Sequence, residues 1–348
     1  MDHIYRRILN FIKYRSGVTP INFGDFIDDA QQNPEKYKQG FWAVNCALDQ
    51  FPAITLAGVV KEHNLHTNCA FMTGDHEIVE QYRDLNFRYF PYFIAEGIAQ
   101  IKTTDELENP EISFGPRTNS LSFVNRFARF HRVYAFYKLC QQPRLVDAKV
   151  SFTRLETTFP DENGLLQPVN LSLEQMLDVA KLQGYYSKDF ETWLTTEFPN
   201  LPRQIEEYDN TDNKYDNWVT SVAFSGSYAN IVTDTYVDYF VPTEKVVKPL
   251  LAGCLFMPIS SKGYMKKLER MGFDLKFAGI DYGMYDDLPT WQARADAVIE
   301  LANKIYPDIQ DIWNANLDRL KYNRHLFSSK ALEEHVLQDV QDIYQLNG

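Results

Sequence analysis

Hydrophobic and polar positions along this chain follow two periods. Short apolar runs at 54–60, 70–73, 120–124, 148–152, 218–224, 229–232 and 255–259 are bounded by Gly, Pro or polar clusters, and they predict buried strands. Apolar residues spaced three and four apart predict helices over 1–14, 26–32, 77–83, 133–139, 173–182, 188–197, 263–271, 291–305, 308–322 and 331–344. Residues 41–51 are apolar and helix-capable. Residues 87–93 are strongly aromatic and suit a strand or a buried loop. Ser172 with Gln175 is a capping box that fixes the start of the 173–182 helix.

Strand, loop, helix and strand follow one another over 120–152, which is a βαβ unit of an α/β domain. The stretch 232–259 has the same rhythm. Thr243 after Pro242 opens a helix, because Pro disfavours helix before it and Thr caps. Gly253 closes that helix, and 255–259 forms the next buried strand. Residues 107–119 are rich in Pro, Gly, Glu and Asn and form the best linker candidate. The expected organisation is a first domain over 1–118, a second over 119–330 and a C-terminal helix over 331–348.

A chain of 348 residues suits two such domains. Net charge is −12, which argues against a broad nucleic-acid-binding face while leaving room for a local basic cleft. Arg6, Arg7, Lys13 and Arg15 are either that kind of patch or the solvated face of a surface helix. Cys46, Cys69, Cys140 and Cys254 form no C-x-x-C pair and no zinc spacing, so no metal site is expected and the thiols suit a reducing compartment. The N-terminus lacks a secretory hydrophobic core, and no run of about 18 apolar residues is present. The expectation is a soluble protein of the cytoplasm without a membrane span.

Three groups of residues are candidates for chemistry. Asn125, Arg126 and Arg129, with His131 and Arg132, follow directly on a buried strand, where open α/β sheets bind ligands. Arg suits a diphosphate because its planar fork donates paired hydrogen bonds and stays charged; the alternative is a solvated helix face. Thr243, Glu244 and Lys245 open a helix whose N-terminus favours an anion, so Lys245 there suits a bound phosphate; the alternative is an ordinary capped helix with a solvated Lys. Asp234 and Tyr236 lie where the preceding strand opens into a loop. In the first domain Asp25, Asp75 and His76 are candidate general bases, or simply structural polar residues. The acidic, aromatic segment 279–287 reads as a turn between strand and helix.

The run from Asp238 to Pro258, with Thr243, Glu244, Lys245, Lys248, Pro249, Ala252 and Gly253, resembles the donor-binding segment of α-1,3-fucosyltransferase-like GT-B glycosyltransferases. The chain is closer still to glycosyltransferase-like proteins of phages and bacteria. Their Asn-Arg-x-x-Arg-x-His-Arg loop corresponds to Asn125, Arg126, Arg129, His131 and Arg132. Their later elements correspond to Tyr264, Met265, Lys266, Leu268, Gly272 and Phe273, to Ile280, Asp281, Tyr285 and Asp286, and to a tail from Asn323 to Phe327. The resemblance covers roughly 120–328. Asp234 stands where the relatives carry Glu, and the Phe-Glu-Asn-Ser form of true fucosyltransferases is missing, so fucose is not implied.

The resemblance implies two Rossmann-like α/β domains of GT-B type facing a cleft. It implies a nucleotide-sugar co-substrate, a UDP-sugar ahead of a GDP-sugar, with no other cofactor and no metal. Arg126, Arg129 and Lys245 would hold the diphosphate, Glu244 the ribose, and Asp234 or Tyr236 the sugar or base. The acceptor hydroxyl would belong to a hydroxymethylated base in phage duplex DNA, placing the enzyme in a host cytoplasm, or to a saccharide in surface-glycan synthesis. A non-catalytic nucleotide-sugar or glycan-binding protein is the third possibility.

Overall fold

A computed structural model describes residues 19–46, 53–103, 114–125, 128–145, 147–151, 158–160, 166–168, 171–200, 224, 226–235 and 237–340. The expected helix over 1–14, nearly all of the expected strand over 218–224, and the candidates Arg126 and Tyr236 lie outside these residues. The protein is α/β with parallel sheets, and it divides into two compact units. The first comprises Met1–Glu108, Tyr239–Val247 and His325–Gly348; the second comprises Asn109–Asp238 and Lys248–Arg324.

In chain order the first elements are β1 (Thr19–Asn22), α1 (Phe23–Gln32), β2 (Trp42–Asn45), α2 (Ala53–Glu62), β3 (Cys69–Thr73), α3 (His76–Gln81), β4 (Phe87–Tyr89) and α4 (Tyr92–Thr103). The strands pair in the order β1-β2-β3-β4, all parallel. Phe26, Tyr37, Val44, Leu56, Val60, Phe71 and Phe87 make the core of this unit. Two expectations fail here. Residues 54–60 are helix, not strand: Leu56, Ala57, Val59 and Val60 are buried while Ile54 is 78% exposed. That spacing has the helical period, which the β-branched composition hid. Residues 42–45 are strand, not helix, because a short run buried in a parallel sheet has no period to distinguish it.

The second unit contains β5 (Asn119–Val124), α5 (Phe130–Cys140), β6 (Lys149–Ser151), a hairpin of β7 (Thr158–Pro160) and β8 (Leu166–Pro168), α6 (Leu173–Leu182), α7 (Lys188–Thr196) and β9 (Ser227–Thr233). Next come α8 (Glu244–Ala252), β10 (Leu255–Ile259), α9 (Tyr264–Arg270), α10 (Trp291–Ile305), α11 (Ile309–Ala315), α12 (Leu317–Leu326) and α13 (Lys330–Leu337). The first turn of α8, the end of α12 and all of α13 belong to the first unit. There Gly97 of α4 leaves space that Phe327 and Val247 fill; a Cβ would stand 2.8 and 2.9 Å from them. The second sheet is parallel, in the order β10-β9-β5-β6. The chain leaves β5 toward β6 and returns on the other side of β5 as β9. The direction of winding therefore reverses between β5 and β9.

The capping box of α6 forms as expected, with Ser172 and Gln175 exchanging hydrogen bonds. The single helix expected over 308–322 is broken at Asn316. Its side chain pairs with the backbone of Ala278 in both directions, at 2.8 and 2.9 Å, and with the carbonyl of Ile312. Asn323 does the same for Asp274, at 2.7 Å each way. Residues 273–277 bury alternate side chains like a strand, and two asparagine side chains take the place of a neighbouring strand. Cys46, Cys69 and Cys254 are buried and unpaired, whereas Cys140 is exposed.

At the amino edge of the second sheet, buried Arg117 donates to the carbonyls of Phe224, Ala252 and Gly253 and lies over Trp313, whose Nε1 also donates to Gly253. Gly253 closes α8 at φ +64°, and a Cβ there would stand 2.3 Å from Phe114 Cε1. Gly253→Ala is therefore expected to destabilise the second unit by about 2–5 kcal/mol, from left-handed strain plus overpacking. Urea unfolding checks this; a midpoint equal to wild type contradicts it.

Candidate functional site

Parallel strands end with their carbonyls and following loops at one edge, and in open sheets ligands bind where the winding reverses. In the second unit that place is the carboxyl edge of β5 and β9. Asn125 follows β5 and is 1% exposed; its Oδ1 accepts a hydrogen bond from the Thr233 hydroxyl at the end of β9. Its Nδ2 has no partner among the described residues, and the same holds for the buried Oγ of Ser261, just beyond β10.

Asp234 is the node of this edge. It is fully buried. Its backbone N–H donates to Ile259, extending the β9–β10 ladder by one bond. One carboxylate oxygen accepts from the Thr235 N–H at 2.7 Å, and the other from the Tyr264 hydroxyl at 2.6 Å. His131 Nε2 lies 2.9 Å from its carbonyl oxygen. Arg129, at the N-cap of α5, donates to the Thr235 carbonyl at 3.0 Å. Arg129 and His131 thus tie the loop after β5 to the loop after β9. Arg132, for which a solvated helix face was the alternative, is buried.

Arg294, which the sequence reading missed, holds the same edge from α10. It is 3% exposed. Nε donates to Ser260, Nη1 to Leu288 and Nη2 to Val237, all carbonyls, at 2.7, 2.7 and 2.8 Å. Burial pulls its pKa below the ordinary value, against the attraction of Asp238 and Asp286. Its place on the apolar stripe between Trp291 and Val298 was a signal of burial, which demands that its donors be satisfied, but not of which carbonyls they meet. Asp286, in the expected 279–287 turn, accepts from the N–H groups of Met265 and Lys266 and so occupies the start of α9. Burial raises its pKa.

Thr243, Glu244 and Lys245 open α8 as expected. The Thr243 oxygen accepts from the Lys245 N–H at 3.4 Å, and Lys245 Nζ stands 2.5 Å from Glu244 Oε1. Both charged groups are about three-quarters or more buried. These residues belong to the first unit, so the structure groups Asn125, Arg129 and Asp234 and describes the α8 group separately.

Also in the first unit, Asp75 is 1% exposed and caps α3 through the Glu77 N–H at 2.8 Å. His76 stacks on Tyr89 with centroids 3.6 Å apart, and His335 of α13 meets the edge of the same ring at 6.3 Å. Asp25 is exposed in the first turn of α1. Among the described residues no cluster of His, Cys, Asp or Glu could hold a metal ion, and no helix is long and apolar enough to cross a membrane.

Compared with protein-family models and with curated proteins, the chain matches none.

Arg294→Met removes three hydrogen bonds that a buried guanidinium donates to backbone carbonyls. The expected loss is at least about 3 kcal/mol, and Arg294→Lys should recover less than half, because one ammonium cannot reach all three carbonyls. Calorimetric melting of the variants checks this; full recovery by Lys contradicts it. Burial holds the His76 and His335 imidazoles below their ordinary 6.5, with Asp339, Glu80 and Asp75 opposing at His76 and Asp339 at His335. The unfolded chain binds these protons more readily. Their stabilising contribution is therefore complete above pH 6.5 and lost as the pH falls below it. Melting from about pH 7.5 to about pH 5.5 should show a decline that His76→Gln with His335→Gln flattens; an unchanged slope contradicts this.

Proposed function

We propose that the protein is a glycosyltransferase of GT-B type that moves a sugar from a nucleotide-sugar, a UDP-sugar ahead of a GDP-sugar, to an acceptor hydroxyl. The observation that carries the proposal is the reversal of winding between β5 and β9, with Asn125, Arg129 and the Asp234 loop at its carboxyl edge. Asn125, Arg129 and Asp234 are three of the residues that suggested a donor site by resemblance. Two α/β units with parallel sheets are compatible with the GT-B architecture.

In this reading Arg129 spends one N–H on Thr235 and turns its remaining donors to the leaving diphosphate, the charge to which the resemblance also assigns Arg126 and Lys245. Asn125 Nδ2 and Ser261 Oγ supply neutral hydrogen bonds. Asp234 positions the loop that carries Tyr236, while Glu244 takes the ribose. Positive side chains replace a metal at the diphosphate. Of the three base candidates, His76 is exposed and stacks on Tyr89, and it is the one proposed to take the acceptor proton. Asp75 uses its carboxylate as a helix cap. The acceptor is a hydroxymethylated base in duplex DNA or a saccharide. Net charge of −12 weighs against the first, and a salt-dependent mobility shift on modified duplex DNA separates the two.

A thermal-shift screen with UDP-, GDP- and ADP-sugars is expected to raise the melting temperature with one nucleotide class. Arg129→Ala and Lys245→Ala should each weaken that donor by about one to two orders of magnitude, the value of a charged hydrogen bond of about 1.5–3 kcal/mol. No shift with any donor rejects the proposal. A shift with unchanged affinity in both variants rejects the residue assignment.

A further inference from the structure

Elsewhere in the second unit, α5, the turn between α6 and α7, and the start of α10 enclose a groove of about 460 Å³. Tyr134, Tyr137 and Lys138 line it from α5, Gln183 and Tyr185 from the turn, and Thr290 from the cap of α10. The volume lies within the range of small-molecule sites, with room for about one or two pyranose rings.

Behind the groove lies a packed aromatic cluster, in which Tyr134 and Tyr137 are buried and Tyr185 is partly exposed. Tyr185 packs edge-on against Tyr134 and Trp291 at 5.0 and 5.4 Å, and Tyr134 against Trp291 at 5.4 Å. The charges cancel: Lys138 Nζ stands 3.3 Å from Asp296, which also accepts the Tyr134 hydroxyl. An anionic ligand therefore finds no unpaired cation among these side chains. The remaining chemistry is neutral donation. Gln183 Oε1 accepts from Trp291 Nε1 at 3.2 Å, leaving its amide N–H pair to donate. Thr290 and the neighbouring Ser187 accept helix N–H groups and keep their hydroxyl protons for another acceptor. The Tyr185 hydroxyl is buried without a partner.

We infer that this groove binds a neutral carbohydrate, whose C–H face rests on the partly exposed Tyr185 ring while its hydroxyls accept from Gln183, Thr290 and Ser187. The inference does not depend on the donor reading, since the groove uses none of those residues. Trp291 links the two places: its ring also meets His131 at 6.3 Å, and His131 bonds the Asp234 carbonyl.

The test is saturation-transfer NMR on the full chain with maltose, lactose and N,N′-diacetylchitobiose as probes. At least one probe should receive saturation on its ring protons. Gln183→Ala, which also removes the acceptor of Trp291 Nε1, should weaken that probe about fivefold or more in a variant that still melts cooperatively. UDP and GDP should fail to displace it. No transfer to any probe, wild-type affinity in Gln183→Ala, or displacement by a nucleotide would each overturn the assignment.

Discussion

A parallel strand that ends at a binding edge must leave the sheet without abandoning its last polar groups in the interior. At the end of β9 that constraint falls on Asp234, and the second unit is arranged to meet it. Its N–H still pairs with β10, its carboxylate takes Thr235 and Tyr264, and its carbonyl takes His131. A fully buried carboxylate without these donors would cost several kcal/mol. With them it becomes a fixed point from which the following loop departs. Asp234 thus acts through the backbone it holds.

The same logic operates at both edges of the sheet. Arg117 satisfies carbonyls at the amino edge and Arg294 at the carboxyl edge, each deeply buried and each serving three backbone oxygens. A guanidinium suits this work because its rigid fork presents several donors at once. Asp286 at the start of α9, and Asn316 and Asn323 beside residues 273–278, complete the set. Several residues behind the family resemblance are members of this scaffold: Tyr264, Asp286 and Asn323 bind backbone or other side chains of the protein.

The βαβ rhythm of 120–152, the 255–259 strand, the Thr243 helix start and the capping box at Ser172 were legible because local chemistry decides them. The 42–45 strand and the 53–62 helix were not, since short apolar runs carry too little period and burial on both faces overrides propensity. Arg294 was hidden for a different reason. Its value lies in three carbonyls at residues 237, 260 and 288, and no local pattern brings those together. Asn125, Arg129 and Asp234 were legible as members of successive loops, but only the strand order, which places β9 beside β5, brings those loops to one edge.

Hydrogen–deuterium exchange with and without a saturating UDP- or GDP-sugar tests the central claim most directly, because it reports where a donor binds without assuming which residue binds it. The account predicts slowed exchange in peptides covering 119–140 and 227–245, where the loops after β5 and β9 lie. Protection confined to residues 19–103, or no protection with either donor, would contradict it.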